Sequence, residues 1–259
     1  MKNNHQIKWP QKYSLLGIGI SAITYSELLE KIIVAARYKK SALITHLAVH
    51  GVIEGNQDYF LRKMLNEFEI VAPDGQPVRK ALDLLYNIKL PDRCYGPELM
   101  RQVCHRAEVE KIGIYLYGSH SYVIDALVKN LLKKHPLLKI NGWKPSAFRP
   151  LTNFEDDNLV RSINESDARI VFIGLGCPLQ ERFAYQHIDK INAVQICVGA
   201  AFDFLSKNKK MAPSWMQKYS LEWFFRLSQE PGRLWRRYLF TNMIFIYKLL
   251  LQYMYLKLS

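Results

Sequence analysis

Two segments in the last third of the chain carry the residue types best suited to chemistry. Gly174-Leu175-Gly176-Cys177-Pro178-Leu179-Gln180-Glu181 follows an apolar run. It has the form of a strand ending in a tight loop that opens a helix, a place where backbone N–H groups meet phosphate. Further on, Leu221-Glu222-Trp223-Phe224-Phe225-Arg226-Leu227 and Glu230-Pro231-Gly232-Arg233-Leu234-Trp235-Arg236-Arg237-Tyr238 set four arginines among bulky aromatics. Guanidinium groups bond phosphate bidentately and keep their charge. With spacings of seven and three, Arg226, Arg233 and Arg236 are expected to share a face if one helix carries them, and Arg237 to point elsewhere. A solvated basic face is the plainer alternative. Together the two segments suit a pyrophosphate, a membrane surface or both, and point to a nucleotide-activated substrate handled at a membrane.

Upstream, Asp74 stands between Pro73 and Gly75 at the end of an apolar run. A carboxylate at the carboxyl end of a strand can act as general base or hold a sugar hydroxyl, or it can serve only its own turn. Thr45 also ends a predicted strand, where its hydroxyl can bond a ligand or cap the next helix. Gln180 falls where a helix begins, within reach of a sugar or base edge, and Glu181 suits that helix's first turn. His46 and His50 are four apart and would share a helix face, but no third ligand accompanies them. The cysteines, Cys94, Cys104, Cys177 and Cys197, form no CxxC pair and read as free thiols, and no histidine cluster has metal-ligand spacing. Gly174-x-Gly176 lacks the third glycine of a dinucleotide fingerprint, which argues against an NAD-dependent enzyme.

The elements that must position these residues follow from the apolar periodicity. Helices are expected over 24–36, with Thr24 and Glu27 as a capping box, and over 58–68, 78–86, 97–110, 122–134, 155–164 and 180–188. Strands are expected over 42–45, 70–72, 112–117 closed by Gly118, 138–140, 169–173, and 193–198 ending at Gly199, with a short apolar run at 15–20. Their alternation predicts an α/β fold: a Rossmann-like, mostly parallel sheet with helices on both faces. The chain divides into a flexible arm (1–12), a Rossmann-like domain (13–205) and a basic, aromatic helical appendage (206–259). The last segment, 239–258, is apolar but contains Asn242, Lys248, Gln252 and Lys257. It is expected to lie as an amphipathic helix in a membrane interface, or else to pack on the body, rather than to span.

The chain has 259 residues, of which 49% are hydrophobic, so a full core is expected and wholesale disorder is excluded. Its 36 basic against 23 acidic residues give a net charge of +13 and favour an anionic partner. Because the basic residues near the C-terminus interleave with aliphatic bulk, anionic lipid fits better than nucleic acid. No apolar signal segment opens the chain.

The sequence resembles the WecG/TagA/CpsF glycosyltransferases (glycosyltransferase family 26) from about Leu15 to Tyr238. The resemblance rests on Pro73-Asp74-Gly75, Tyr95-Gly96-Pro97-Glu98-Leu99, Leu116-Tyr117-Gly118, the Gly174–Glu181 segment, Val198-Gly199-Ala200-x-Phe202-Asp203, Ala212-Pro213-x-Trp215 and the arginine-rich tail, in that order. Three places depart from the family pattern. Thr45-His46-Leu47 replaces Thr-x-Asn, Lys207 or a neighbour stands where a glycine is usual, and Met211 replaces an arginine.

The resemblance implies a peripheral enzyme on the cytoplasmic face of the membrane. It would move a hexose (N-acetylmannosamine, its uronic acid, or glucose) with inversion from a UDP-sugar to an undecaprenyl-diphosphate-linked sugar in cell-surface polysaccharide synthesis. By similarity Asp74 matches the catalytic base, Thr45 lies in the active-site pocket, and Gln180 contacts substrate. Arg226, Arg233 and Arg236 match arginines of an appendage that closes over the site and docks on the membrane. Gly118, Gly174, Gly176, Gln180, Glu181 and Gly199 are expected at the substrate. No cofactor and no metal are expected: no DxD-like pair stands where a metal–diphosphate bridge would be expected, and Asp156-Asp157 reads as the start of a surface helix. A homo-oligomer stays open. A non-catalytic nucleotide-sugar-binding protein at the membrane is the alternative.

Overall fold

A computed structural model of the chain describes residues 7–213, 215–216 and 221–258, with the side chains of 233 and 236–238 outside that description. The chain opens with a hairpin, β1 (Lys12–Leu15) and β2 (Ile18–Ser21). The expected single apolar run at 15–20 is therefore two short strands. Leu16 and Gly17, both at positive φ, turn the chain between them.

There follow α1 (Tyr25–Arg37), β3 (Ala42–Leu47), α2 (Val49–Gln57), α3 (Tyr59–Glu67), β4 (Ile70–Pro73), α4 (Gln76–Tyr86), α5 (Gly96–Val109) and β5 (Ile114–Gly118). Next come α6 (Ser121–Lys134), β6 (Ile140–Lys144), α7 (Asn153–Glu165), β7 (Ile170–Gly174), α8 (Leu179–Gln186), β8 (Val194–Cys197) and α9 (Ala201–Leu205). Thr24 caps α1 in the expected box, its side chain accepting from the Glu27 N–H while the Glu27 carboxylate accepts from the Thr24 N–H. The expected strand at 138–140 falls later, at β6. Two helices absent from the sequence reading, α2 and α9, follow β3 and β8 directly.

β3 to β8 form one parallel six-stranded sheet in the order β4-β3-β8-β7-β5-β6. Alternate strand residues face opposite sides, as the two-residue period requires. Ile44, Ile70, Leu116, Phe172 and Ile196 pack under α1, α5, α6 and α9, while Leu43, Val71, Tyr117, Ile173 and Cys197 pack under α2, α3, α4 and α8. The fold is thus the α/β, mostly parallel, Rossmann-like sheet covered on both faces. After β5 the chain runs to β6 on one side, and after β7 it runs to β8 on the other. The carboxyl ends of β5 and β7 therefore flank a topological switch point, where open α/β sheets bind ligands.

Beyond α9 come α10 (Glu222–Gln229) and α11 (Pro231–Leu258). Arg226 stands on α10, whereas Arg233 and Arg236 belong to α11. The condition for a shared face, one continuous helix, is therefore not met: the chain breaks at Glu230, where φ is −136° and ψ is 60°, and α11 starts at Pro231, which has no N–H to donate back into α10.

α11 resolves the choice between packing and exposure by doing both. Phe245 is buried in the core beneath α2 and α4. Gln252 accepts from the Leu16 N–H at 2.9 Å and donates to the Ser14 carbonyl at 2.7 Å. Lys248 donates to Asn56 Oδ1. The outer face presents Phe240, Met243, Tyr247, Leu250 and Met254 to solvent. The stretch Leu239–Leu258 is long and apolar enough, by length and composition, to cross a bilayer, yet its inner face is occupied by the body.

Candidate active site

Asp74 is the first residue after β4, and its N–H donates to the Leu47 carbonyl at 3.0 Å, extending the β3–β4 ladder by one rung. Gly75 at φ +83° then turns the chain into α4, so the carboxyl group stays at the sheet's end. The loop before α5 returns to the same point because the Cys94 N–H bonds the Pro73 carbonyl at 2.9 Å. That bond sets Arg93 beside Asp74, with Nη1 3.9 Å from Asp74 Oδ1. Arg93 also lies over the Tyr95 ring, 4.5 Å from its centre, and bonds Glu222 at the start of α10. Arg226, one turn along, has Nε 3.3 Å from Glu222 Oε1 and its guanidinium 5.1 Å from the centre of the Phe204 ring. Burial pushes the Asp74 carboxyl up to about 6, with Glu222 adding to the rise and Arg93, Arg226 and the Gly75 N–H opposing it. A carboxylate tuned toward neutral pH in a cleft has the properties of a general base.

Asp74 and Arg226 line a cleft of about 1020 Å³ across the carboxyl ends of β3, β4, β5, β7 and β8. Gly174, Gly176, Gln180 and Gly199 line it with them; Thr45, Glu181 and Gly118 do not. Thr45 and Glu181 lie beneath the floor, both fully buried, with Thr45 Oγ1 donating to Glu181 Oε1 at 2.8 Å. Gln180 Nε2 donates to the same oxygen at 2.9 Å, while Gln180 Oε1 accepts from the Gly176 N–H at 3.2 Å. Burial raises the Glu181 carboxyl above its usual range against these donors. Glu181 therefore fixes Gln180, and Gln180 fixes the loop that faces the cleft.

Gly118 pairs with Gly174 across β5 and β7, and a Cβ on Gly118 would stand 2.6 Å from the Gly174 backbone. This glycine serves strand packing at the switch point, and the next residues, Ser119 and His120, reach the cleft. Arg233 and Arg236 lie on α11, but their side chains fall outside the described residues.

Several residues in or behind the cleft gave no sequence signal. Arg93 and Glu222 are lone charges in a loop and at a helix start, and only the fold brings them together. The His120 ring stacks between Phe148 (centroids 4.0 Å apart) and Tyr122 (5.5 Å) on the wall beside the switch point, offering a flat apolar face of the kind that takes a nucleobase. His46 is in β3 and His50 in α2, which overturns the expected shared helix face. Burial pushes His46 down to about 4, so the ring is neutral, with Nδ1 3.2 Å from the Cys197 carbonyl.

The expected absence of a histidine cluster also needs correction. His105, Glu108 and His135 place ligand atoms within 4.8 Å of one another, because α5 and α6 end side by side. Glu108 there accepts from the Leu137 N–H at 2.9 Å and lies 3.0 Å from His135 Nδ1, which ties down the turn after α6, at the amino ends of the strands and so away from the cleft. Asp156 of the Asp156-Asp157 pair is likewise engaged, 2.9 Å from His187 Nε2.

Residues 13–258 match the model of the glycosyl transferase WecG/TagA/CpsF family. An N-acetylglucosaminyldiphosphoundecaprenol N-acetyl-β-D-mannosaminyltransferase of Bacillus subtilis (strain 168) is 35% identical over 187 residues, covering 71% of this chain and 69% of that protein. The protein of the same name from Bacillus spizizenii (strain ATCC 23059 / NRRL B-14472 / W23) is 30% identical over 188 residues, covering 72% and 70%. Another of that name, from Staphylococcus aureus (strain MW2), is 27% identical over 188 residues, covering 72% and 71%. With a switch-point cleft, a tuned carboxylate at its floor and a match over almost its whole length, the chain belongs to the WecG/TagA/CpsF glycosyltransferase family.

Proposed function

We propose that the protein is an inverting transferase that moves N-acetylmannosamine from its UDP conjugate to an N-acetylglucosaminyl-diphosphate-lipid acceptor, in cell-surface polymer synthesis at the cytoplasmic face of the membrane. The observation that carries this reading is Asp74: a carboxyl group pushed up to about 6, lining the cleft with Arg226 and 3.9 Å from Arg93 Nη1. The relatives' name supplies the sugar and the acceptor.

In this reading the acceptor hydroxyl oxygen attacks C1 of the donor sugar while Asp74 takes the hydroxyl proton, and the bond from C1 to the phosphate oxygen breaks on the opposite face. UDP departs with that electron pair, so the anomeric configuration inverts. General-base assistance of this kind contributes about 10²–10⁴-fold. The negative charge developing on the diphosphate is met by Arg226. Cationic side chains at that position make a bridging metal unnecessary, so transfer is expected to proceed in EDTA. The stacked His120 and Phe148 rings suit the uracil. Gln180, held by Glu181, suits a sugar hydroxyl. The outer face of α11 rests on the bilayer that holds the lipid acceptor.

A panel of UDP-hexoses, assayed in detergent and EDTA with an N-acetylglucosaminyl-diphosphate-lipid, tests the proposal. A β-linked N-acetylmannosaminyl product by NMR supports it, and transfer of a different hexose, or retention of configuration, overturns it.

A further inference from the structure

Glu222 is the first residue of α10 and is only 8% exposed, a degree of burial that a carboxylate tolerates only when paired. Its two oxygens are divided between two arginines. Oε2 bonds Arg93 Nη2, from the loop that precedes α5, and Oε1 lies 3.3 Å from Arg226 Nε, one turn along its own helix. Arg93 is thereby shared between two carboxylates, but unequally. It bonds Glu222 directly, whereas its other terminal nitrogen stands 3.9 Å from Asp74 Oδ1, beyond hydrogen-bond range.

A guanidinium presents a planar fork that matches a carboxylate with two parallel hydrogen bonds. Left to Asp74 alone, Arg93 would supply that fork, hold the carboxylate firmly as an anion and make it a weak base. The other groups facing Asp74 are Arg226 from α10, Tyr95 and Cys94 from the loop before α5, the Gly75 N–H at the start of α4, and Tyr25 from α1, whose hydroxyl bonds the Tyr95 carbonyl at 3.2 Å. Of these elements, α10 alone lies beyond the sheet and its covering helices, and it brings Glu222 and Arg226 together.

We propose that Glu222 is a positioning residue: by engaging Arg93 when α10 seats over the cleft, it keeps the guanidinium from forking onto Asp74, so that Asp74 is a competent base only when the appendage is closed. The idea rests on the reading of Asp74 as the general base. Its consequence is that the open form, with Glu222 withdrawn, holds a quenched base. Donor bound before the appendage closes then meets a weaker base, which activates water and acceptor less.

The test is a direct titration of Asp74 in the full-length protein in detergent, by carboxyl ¹³C NMR of ¹³C-aspartate-labelled material, with the resonance assigned from its loss in Asp74→Asn. Wild type is expected to titrate near 6. Glu222→Gln is expected to lower the midpoint by about one pH unit, a tenfold change in the ratio of carboxylate to acid. Arg93→Gln is expected to raise it. In the Arg93→Gln background, Glu222→Gln is expected to produce less than half of its own shift, because Glu222 acts through Arg93.

An unmoved midpoint in Glu222→Gln overturns the proposal, as does an equal shift in both backgrounds, which would mean that Glu222 acts on Asp74 directly. Should Glu222→Gln not fold, Arg93→Gln decides alone, since a midpoint that fails to rise refutes any hold of Arg93 on Asp74. The acid limb of kcat/KM must move in parallel with the NMR midpoint; a role of Glu222 confined to clamping the helix would lower kcat without moving that limb. Because the titration needs no turnover, its failure is separable from failure of the general-base reading, which shows instead as transfer surviving in Asp74→Asn.

Discussion

Thr45 Oγ1 donates to Glu181 Oε1 at 2.8 Å beneath the floor of the cleft, and neither side chain reaches the cleft itself. The threonine that the family resemblance places in the pocket therefore acts from below: it helps hold Glu181, which holds Gln180, which holds the Gly176 loop. Thr45→Val removes one donor from a fully buried carboxylate. It is expected to cost about 1–3 kcal/mol of stability and to raise the KM for donor more than it lowers kcat. Urea unfolding and steady-state kinetics on the same variant check both parts; a fall in kcat alone at unchanged stability would place Thr45 at the reacting atoms instead.

Asp74 carries a stability cost with a definite sign. Its folded value, about 6, lies above the ordinary 3.8, so ionisation disfavours the folded state. The cost is absent below the ordinary value, grows as pH rises through the interval, and is complete above about 6. Asp74→Asn is thus expected to stabilise the protein at pH 7.5 by up to about 3 kcal/mol and to give no such gain at pH 4. Denaturant melts at the two pH values read this difference, and an equal effect at both would contradict it.

Much of the framework was legible because it is local. The Thr24 and Glu27 capping box, the two-residue alternation of the sheet strands and the carboxylate following an apolar run each declare themselves within a few residues. What stayed hidden is tertiary or masked by composition. Arg93 and Glu222 are 129 residues apart and show no periodicity. The hairpin was concealed because an apolar Leu16 occupies a turn position at φ +53°. α2 contains Gly51 and Gly55, poor helix formers, yet a Cβ on Gly55 would stand 2.5 Å from Ile18 Cδ1, so close packing demands the glycine that weakens the signal. Whether one helix carries the arginines was not legible from their spacing, and Pro231, which starts a new helix, sits inside it.

Lys207 follows α9 at φ +64°, a left-handed conformation that strains any residue with a Cβ. A glycine at this place in the family pattern has a physical reason here. Lys207→Gly is expected to stabilise the protein by about 1 kcal/mol, read as a higher urea midpoint at unchanged m-value. A lower midpoint would mean that the lysine side chain contributes more than its backbone costs.

The outer face of α11 makes a prediction independent of the cleft. Replacing Phe240, Met243, Tyr247 and Leu250, all exposed, with glutamine is expected to abolish sedimentation with phosphatidylglycerol vesicles and to leave the melting temperature within a degree or two. Retained sedimentation would assign lipid contact to another surface.

The most direct test of the central claim is the rate of sugar transfer by Asp74→Asn, with donor affinity measured alongside by calorimetry using UDP. The general-base account predicts transfer reduced by about 10²–10⁴-fold with UDP affinity preserved. Transfer within a few-fold of wild type would contradict it.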